Sequence, residues 1–174
     1  LSGLDLCGYI CKKDSPSSGM ERVKVYGTGD GIPARTGAGV FTRMFMERFP
    51  RIPVEEEGRL TDPVLREMFI ERVFCLRRFR DLFARPLSRG ALVDFHTDHK
   101  LLLLSHDRGH YEEMGRLVAG AKSVPIETLY RNYGEIFMAS LAQKATPKKC
   151  ADVLMHMIGH FKNMLSSDEK QELL

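Results

Sequence analysis

From residue 63 onward, apolar residues recur every three or four positions, which is the spacing of one face of an α-helix. The first stripe predicts a helix over about 63–84 that begins at Thr61 or Asp62 and ends before Pro86. Later stripes predict helices over about 88–105, 107–122, 125–141 and 147–165, and a last helix that begins at Ser166 or Ser167. Because the loops between them are short, the pattern predicts an antiparallel bundle of about five helices.

The helix over 88–105 has a run of four consecutive leucines, residues 101–104. Such a run points to all sides of a helix, so it predicts a central helix with protein on most of its circumference. One side of the same helix presents a stripe formed by His96, His99, Lys100, Leu103 and His106. Buried polar groups need hydrogen-bond partners, so the stripe is either a structural network or a pocket that binds an anion or moves a proton.

The first part of the chain has a different pattern. Alternating and short apolar runs predict strands at 8–11 and 22–26, and glycines between 27 and 39 predict loops before a short helix over about 40–49. The fold class predicted is therefore mainly α, with a small α/β fragment before the helical bundle. We place the boundary between the α/β fragment (1–52) and the helical domain (53–174) at the prolines near residue 50.

Composition narrows the class of protein. In 174 residues, a hydrophobic content of 43% is enough for a real core, and no apolar run approaches the roughly 18 residues that span a bilayer. A net charge of +3 is too small to indicate a nucleic-acid-binding protein. Without such an apolar run or a signal peptide, we expect a cytoplasmic protein with no membrane partner. The four cysteines form no C-x-x-C pair, which indicates reduced thiols; they are Cys7, Cys11, Cys75 and Cys150.

Two histidines, His156 and His160, lie four residues apart on the predicted helix over 147–165. Metal sites in helices use this spacing, but zinc needs at least one further ligand. The alternative is that His156 forms a hydrogen bond within the bundle while His160 lies nearer solvent. We predict no metal site here.

Arginines are frequent between residues 66 and 89, and Arg66, Arg77 and Arg80 share one helix face. Acidic residues lie among them, so a solvated face with ion pairs is the favoured interpretation. A surface that binds the phosphates of nucleic acid is the alternative.

The loop over 12–19 contains two lysines, three serines and a glycine directly after the first predicted strand. Backbone N–H groups and hydroxyls in such a loop can face an anion. Many turns share this composition, so the signal is weak.

Several motifs together resemble the YbgA family of bacterial proteins, and the resemblance extends over nearly the whole chain. They are Gly8-Tyr9-Ile10, Lys12-Lys13-Asp14-Ser15-Pro16-Ser17-Ser18-Gly19, Pro53-Val54-Glu55-Glu56-Glu57-Gly58-Arg59-Leu60, Phe95-His96, Lys100-Leu101-Leu102-Leu103-Leu104 and 156–162. The resemblance implies the last part of an α/β domain followed by most of a helical domain of unknown function. It also implies that the family's N-terminal portion is missing from this chain.

The α/β domain of that family is similar to thiouracil desulfurases, in which three cysteines hold a [4Fe-4S] cluster. The resemblance places two of these cysteines upstream of Leu1 and the third at Ser18, where a hydroxyl replaces a thiolate. It implies a catalytic role for Ser15, and it gives Cys7 and Cys11 no role as ligands. We therefore expect no cofactor in this chain and a [4Fe-4S] cluster in full-length relatives.

In the helical domain the resemblance marks His96, Lys100, His106, His156 and Lys162, which would form a small pocket. It implies that the parent protein is an Fe–S-dependent desulfurase acting on a thiolated nucleobase or related small molecule, with the helical domain in a supporting role. The alternative is a non-catalytic helical module that binds nucleic acid or a photolyase-like repair partner. The sequence leaves the oligomeric state open.

Overall fold

A computed structural model describes residues 4–27, 32–161, 165–166, 168–169 and 172. In these residues the chain forms four short strands and six α-helices. The strands are β1 (Tyr9–Cys11), β2 (Val23–Val25), β3 (Ala34–Gly37) and β4 (Val54–Glu56), and the helices are α1 (Val40–Arg48), α2 (Pro63–Asp81), α3 (Arg89–His106), α4 (Arg108–Ala119), α5 (Ile126–Leu141) and α6 (Pro147–Phe161). The predicted fold class, mainly α with a small α/β fragment, is confirmed.

Contacts divide the chain into two compact units, Leu1–Leu87 and Ser88–Leu174. Helix α2 belongs to the first unit with the strands and α1, and helices α3 to α6 form the second. The domain boundary predicted from the sequence, between residues 52 and 53, separates two segments that resemble different families. The division into compact units does not test it, so it stays a prediction.

Two small sheets lie in the first unit. Strand β1 pairs in parallel with β4, so that Tyr9 faces Val54 and Cys11 faces Glu56, and β2 pairs antiparallel with β3. Strands β3 and β4 were not predicted, because β3 lies among glycines, β4 contains two glutamates, and neither has an alternating apolar pattern. The ring of Tyr9 packs on Phe45 of α1, with 4.9 Å between the ring centroids.

Helix α3 is the centre of the second unit, as predicted from its leucines. It contacts α4, α5 and α6. Leu103 is fully buried and the other three leucines of the run are half-buried, so none of the four faces open solvent. The core around α3 is made by residues at most 1% exposed, namely Leu92, Leu103, Met114, Leu129, Tyr130, Tyr133, Phe137 and Leu141.

Helix starts follow the predicted capping residues. The Asp62 side chain accepts hydrogen bonds from Val64 N and Leu65 N, and Asp107 Oδ1 accepts one from His110 N at 2.8 Å. The final helix predicted from Ser166 or Ser167 lies largely outside the described residues. None of the described helices combines the length and the apolar character that crossing a bilayer requires.

Candidate functional site

The carboxyl ends of the parallel strands β1 and β4 lie side by side, because Cys11 and Glu56 are register partners. Sheets with parallel strands bind ligands at this edge, where the loops that follow the strands converge. A cavity of about 250 Å³ lies here. Its lining residues follow β1, precede β2 or follow β4, with one from β3 and one at the end of β4; they are Lys13, Asp14, Glu21, Arg22, Arg35, Glu56, Gly58 and Arg59.

Charged side chains dominate the lining of this cavity, with four cationic and three acidic residues. Arg35 Nη1 lies 3.4 Å from Asp14 Oδ1, and Arg59 Nη1 lies 2.6 Å from Glu21 Oε1. Arg59 is held further by Glu55, whose Oε1 is 2.7 Å from Nε. Two of the three lining carboxylates therefore have cationic partners.

Glu56 is the third lining carboxylate, and it is only 5% exposed. Its Oε2 atom is buried and has no hydrogen-bond partner among the described residues. Burying a carboxylate oxygen without a donor is costly, so such an atom marks a place where a bound molecule could supply the donor.

The backbone is strained on two sides of the cavity. Asp14 has a φ of 55° and Arg22 a φ of 58°, both in the left-handed region that residues with a Cβ rarely occupy. Strain of this kind persists where the surrounding structure fixes it and clusters at binding sites. Both residues line the cavity.

The serine loop, residues 15–19, closes onto the start of α1. Its carbonyl oxygens accept hydrogen bonds from the backbone N–H groups of Gly39, Val40 and Phe41. Within the loop, Ser18 N donates to Ser15 Oγ at 3.2 Å and Gly19 N donates to Ser15 O at 2.8 Å. The N–H groups of Ser18 and Gly19 are thus used inside the protein, which disfavours the predicted anion cradle at these two positions.

The residues near Ser18 do not fit an iron–sulfur cluster. Ser18 offers a hydroxyl, a poor ligand for iron compared with a thiolate. Cys11 is buried and its Sγ donates to Glu55 O; burial, and then the charge of Glu56, raise the pKa of this thiol to about 11, so it stays protonated. The part of the chain that the structure describes contains no group of three or more histidine, cysteine or acidic side chains placed to hold a metal ion.

The histidine stripe of α3 contacts α5 and the loop after it. His96 Nδ1 lies 3.3 Å from the hydroxyl of Tyr133, and His106 Nδ1 lies 2.6 Å from Gln143 O. Burial, with the charges of Lys100 and His99, lowers the pKa of His96. His99, which the resemblance did not mark, is buried, its Nδ1 lies 2.8 Å from Phe95 O and its ring stacks on that of Phe95.

The described residues of the predicted pocket differ in their exposure to solvent. Lys100 and His156 are exposed to solvent, whereas His96 is half-buried and His106 is buried. Lys162 lies outside the described residues. The rings of His156 and His160 are 5.0 Å apart on α6, and both residues are exposed. A pocket formed by these residues together stays a prediction.

The arginines of α2 form ion pairs within the chain. Arg77 Nη1 contacts Asp5 Oδ2 at 2.5 Å, and Arg77 Nε contacts Asp81 at 2.9 Å. Arg80 contacts Asp5 and the carbonyl oxygen of Leu6. Arg66 is exposed and donates to Leu60 O. These contacts agree with the solvated face with ion pairs, and the nucleic-acid surface stays a prediction.

Sequence reasoning did not identify Glu56 or the cavity that it lines. Residues 55–57 are three consecutive glutamates, a composition typical of a solvent-exposed segment, yet the middle one is buried while Glu57 is exposed. The signal that could have found it is the position of Glu55 and Glu56 within a short strand, since alternate residues of a strand face opposite sides.

Comparison with known proteins gives two matches to family models. Residues 1–57 match the family described as 2-thiouracil desulfurase, and residues 100–174 match the family described as protein of unknown function (DUF1722). The first match contains the serine loop and Glu56. No solved structure matches the chain.

A curated protein also matches. Uncharacterized protein YbgA of Escherichia coli (strain K12) is 33% identical over 103 residues, which are 59% of this chain and 61% of that protein. The aligned segment thus spans about three-fifths of the relative's length. The matches confirm that the chain resembles the YbgA family, with a 2-thiouracil desulfurase-like segment followed by a DUF1722 segment.

Proposed function

We propose that the parent protein of this chain is of the iron–sulfur-dependent desulfurase type, whose activity on a thiolated nucleobase or a related small molecule requires a cysteine at the position of Ser18. The match of residues 1–57 to the 2-thiouracil desulfurase family carries the proposal. The cavity at the carboxyl ends of β1 and β4 supports it, because small molecules bind at this edge of parallel sheets. The helical segment has a supporting role in this proposal.

Ser15 is the candidate catalytic residue in this chain. Its Oγ accepts a hydrogen bond from Ser18 N and lies 3.1 Å from Ser17 Oγ, so the hydroxyl is held in one orientation within the serine loop. In the proposed reaction the thiocarbonyl of the substrate becomes a carbonyl, with one water consumed and hydrogen sulfide released.

The [4Fe-4S] cluster belongs, in this proposal, to full-length relatives with a cysteine at the position of Ser18. The cysteines of this chain are free thiols, which supports a location in the cytoplasm, where thiols stay reduced. In this chain Ser18 supplies a hydroxyl in place of that cysteine.

The test uses a complete relative that has a cysteine at the position of Ser18. After anaerobic reconstitution with iron and sulfide, we expect broad visible absorbance from the cluster and conversion of 2-thiouracil to uracil. The matched cysteine-to-serine variant should lose both. A complete relative that shows neither absorbance nor conversion would overturn the proposal.

A further inference from the structure

The cavity at the ends of β1 and β4 contains two cationic side chains that the chain itself does not neutralise. Among residues 4–27 and 32–161, the side chains of Lys13 and Arg22 form no ion pair, although both line the cavity. The other two cations, Arg35 and Arg59, are paired with Asp14 and Glu21. Lys13 and Arg22 are therefore the groups available to an anion.

Glu56 imposes a second requirement on any molecule in this cavity. Its carboxylate is buried and Oε2 lacks a donor among the described residues. A fully ionised anion would place negative charge against this carboxylate and offer it no hydrogen bond. The ligand that fits is thus an anion that also carries a proton.

We propose that this cavity binds a phosphate group, either free phosphate or a phosphate monoester, in a form that keeps a P–OH proton. Lys13 and Arg22 balance the charge of the phosphate, and Glu56 accepts a hydrogen bond from its P–OH group. A phosphate monoester keeps this proton near pH 6, because its second pKa is about 6. Sulfate and phosphate diesters have no such proton, so Glu56 is the residue that rejects them.

This proposal goes beyond the desulfurase activity and does not depend on it. Phosphate binding is measured on the chain without a cluster and without turnover. Failure of desulfurisation in a complete relative leaves the phosphate site untouched, and failure of phosphate binding leaves the desulfurase proposal standing.

The experiment is isothermal titration calorimetry of the full chain at low salt and at a pH of about 6. The probes are inorganic phosphate, phenyl phosphate, sulfate and dimethyl phosphate. We expect the two protonated anions to bind at least about tenfold more tightly than sulfate and dimethyl phosphate, since only they satisfy Glu56. Equal affinities for phosphate and phenyl phosphate identify free phosphate as sufficient, and tighter binding of phenyl phosphate identifies a monoester.

Two variants test the assigned residues. Glu56→Gln presents an amide that can donate to any oxyanion, so sulfate should bind this variant as tightly as phosphate. Lys13→Gln should weaken phosphate binding at least about fivefold, whereas Lys12→Gln, an exposed neighbour that does not line the cavity, should change it less than about twofold. Circular dichroism checks that each variant is folded.

Three results would overturn the proposal. They are equal binding of sulfate and phosphate by the unaltered chain, no binding of either, and equal effects of Lys12→Gln and Lys13→Gln. If Glu56→Gln does not fold, two measurements still test the proposal without that variant. They are the comparison of the four anions on the unaltered chain and the comparison of Lys13→Gln with Lys12→Gln.

Discussion

Gly39 lies where the backbone of the first unit leaves no room for a side chain. A Cβ at this position would lie 2.6 Å from Gly19 N and from two backbone atoms of Ser17. Backbone atoms cannot move aside as the end of a flexible side chain can. The close approach lets Gly39 N donate to Gly19 O at 2.7 Å, which ties the serine loop to α1.

Gly39→Ala should therefore lower the free energy of unfolding by about 2 kcal/mol or more, measured by urea denaturation followed by circular dichroism. Gly115→Ala in α4 is the control, since a Cβ there meets nothing within 4 Å. In a helix this change should raise stability by about 0.5–1 kcal/mol. A Gly39→Ala variant as stable as the unaltered chain would show that the loop shifts freely.

Buried thiols differ from exposed ones in reactivity. Burial raises the pKa of both Cys11 and Cys75 to about 11, from 9.0, while Cys150 is exposed. At a pH of about 8, iodoacetamide should modify Cys150 at least about tenfold faster than either buried thiol, as measured by mass spectrometry. Cys11 reacting as fast as Cys150 would contradict the burial of the Cys11 side chain.

The raised pKa values of these two thiols make the free energy of unfolding depend on pH. The folded state keeps the protons of Cys11 and Cys75 when the unfolded chain begins to lose them, so the stabilisation is complete below a pH of 9.0. We expect the free energy of unfolding to fall as pH rises from 9.0 to about 11. A double Cys→Ala variant of these two residues should flatten that fall.

At the scale of elements, Lys149 connects α6 to the end of α3. Its Nζ donates to His106 O in the last turn of α3 and to Lys144 O. Carbonyls at the end of a helix have no partner within the helix and carry partial negative charge, so a lysine there is stabilising. His106 is also tied to Gln143 O through its ring.

Lys149→Met should lower the free energy of unfolding by about 1–2 kcal/mol, because it leaves the carbonyl at the end of α3 without its donor. Lys148→Met is the matched control, since Lys148 is exposed on the same turn. It should change stability by less than about 0.5 kcal/mol. Equal losses in the two variants would mean that the contact contributes nothing.

Local patterns predicted the helices well and the strands less well. The signals that predict the helices each extend over only a few residues; they are the apolar stripes, Asp62, Pro63 and Asp107. All helices from α1 to α6 were therefore predicted near their observed bounds. Strand β4 depends on pairing with β1 more than 40 residues away, and the contact of Lys149 with α3 spans a similar separation. Such distant contacts have no local signal, which is why Glu56 and its cavity were missed.

For the whole molecule, a binding measurement at the arginines of α2 distinguishes the desulfurase proposal from the nucleic-acid-binding alternative. Arg77 and Arg80 already contact Asp5, so their charge is only partly available to phosphates. At about 50 mM salt we expect single-stranded DNA to bind with a Kd no tighter than about 100 µM. Fluorescence anisotropy measures this directly.

The opposite result would favour the nucleic-acid-binding module. Tight binding that weakens at least about tenfold between about 50 and 200 mM salt requires several phosphate contacts. This salt-dependent binding should then be lost in Arg66→Ala and Arg77→Ala. It should remain in Arg51→Ala, since Arg51 is an exposed arginine outside α2.

In the proposed function, residues 1–57 derive from a desulfurase in which Ser18 occupies the position of a thiolate. The direct measurement is anaerobic reconstitution of the complete parent protein with Ser18→Cys, with Ser17→Cys as the neighbouring control. We predict cluster absorbance and sulfide release from 2-thiouracil for Ser18→Cys, at least about tenfold above the control. Equal signals from the two variants, or none from either, would contradict the claim.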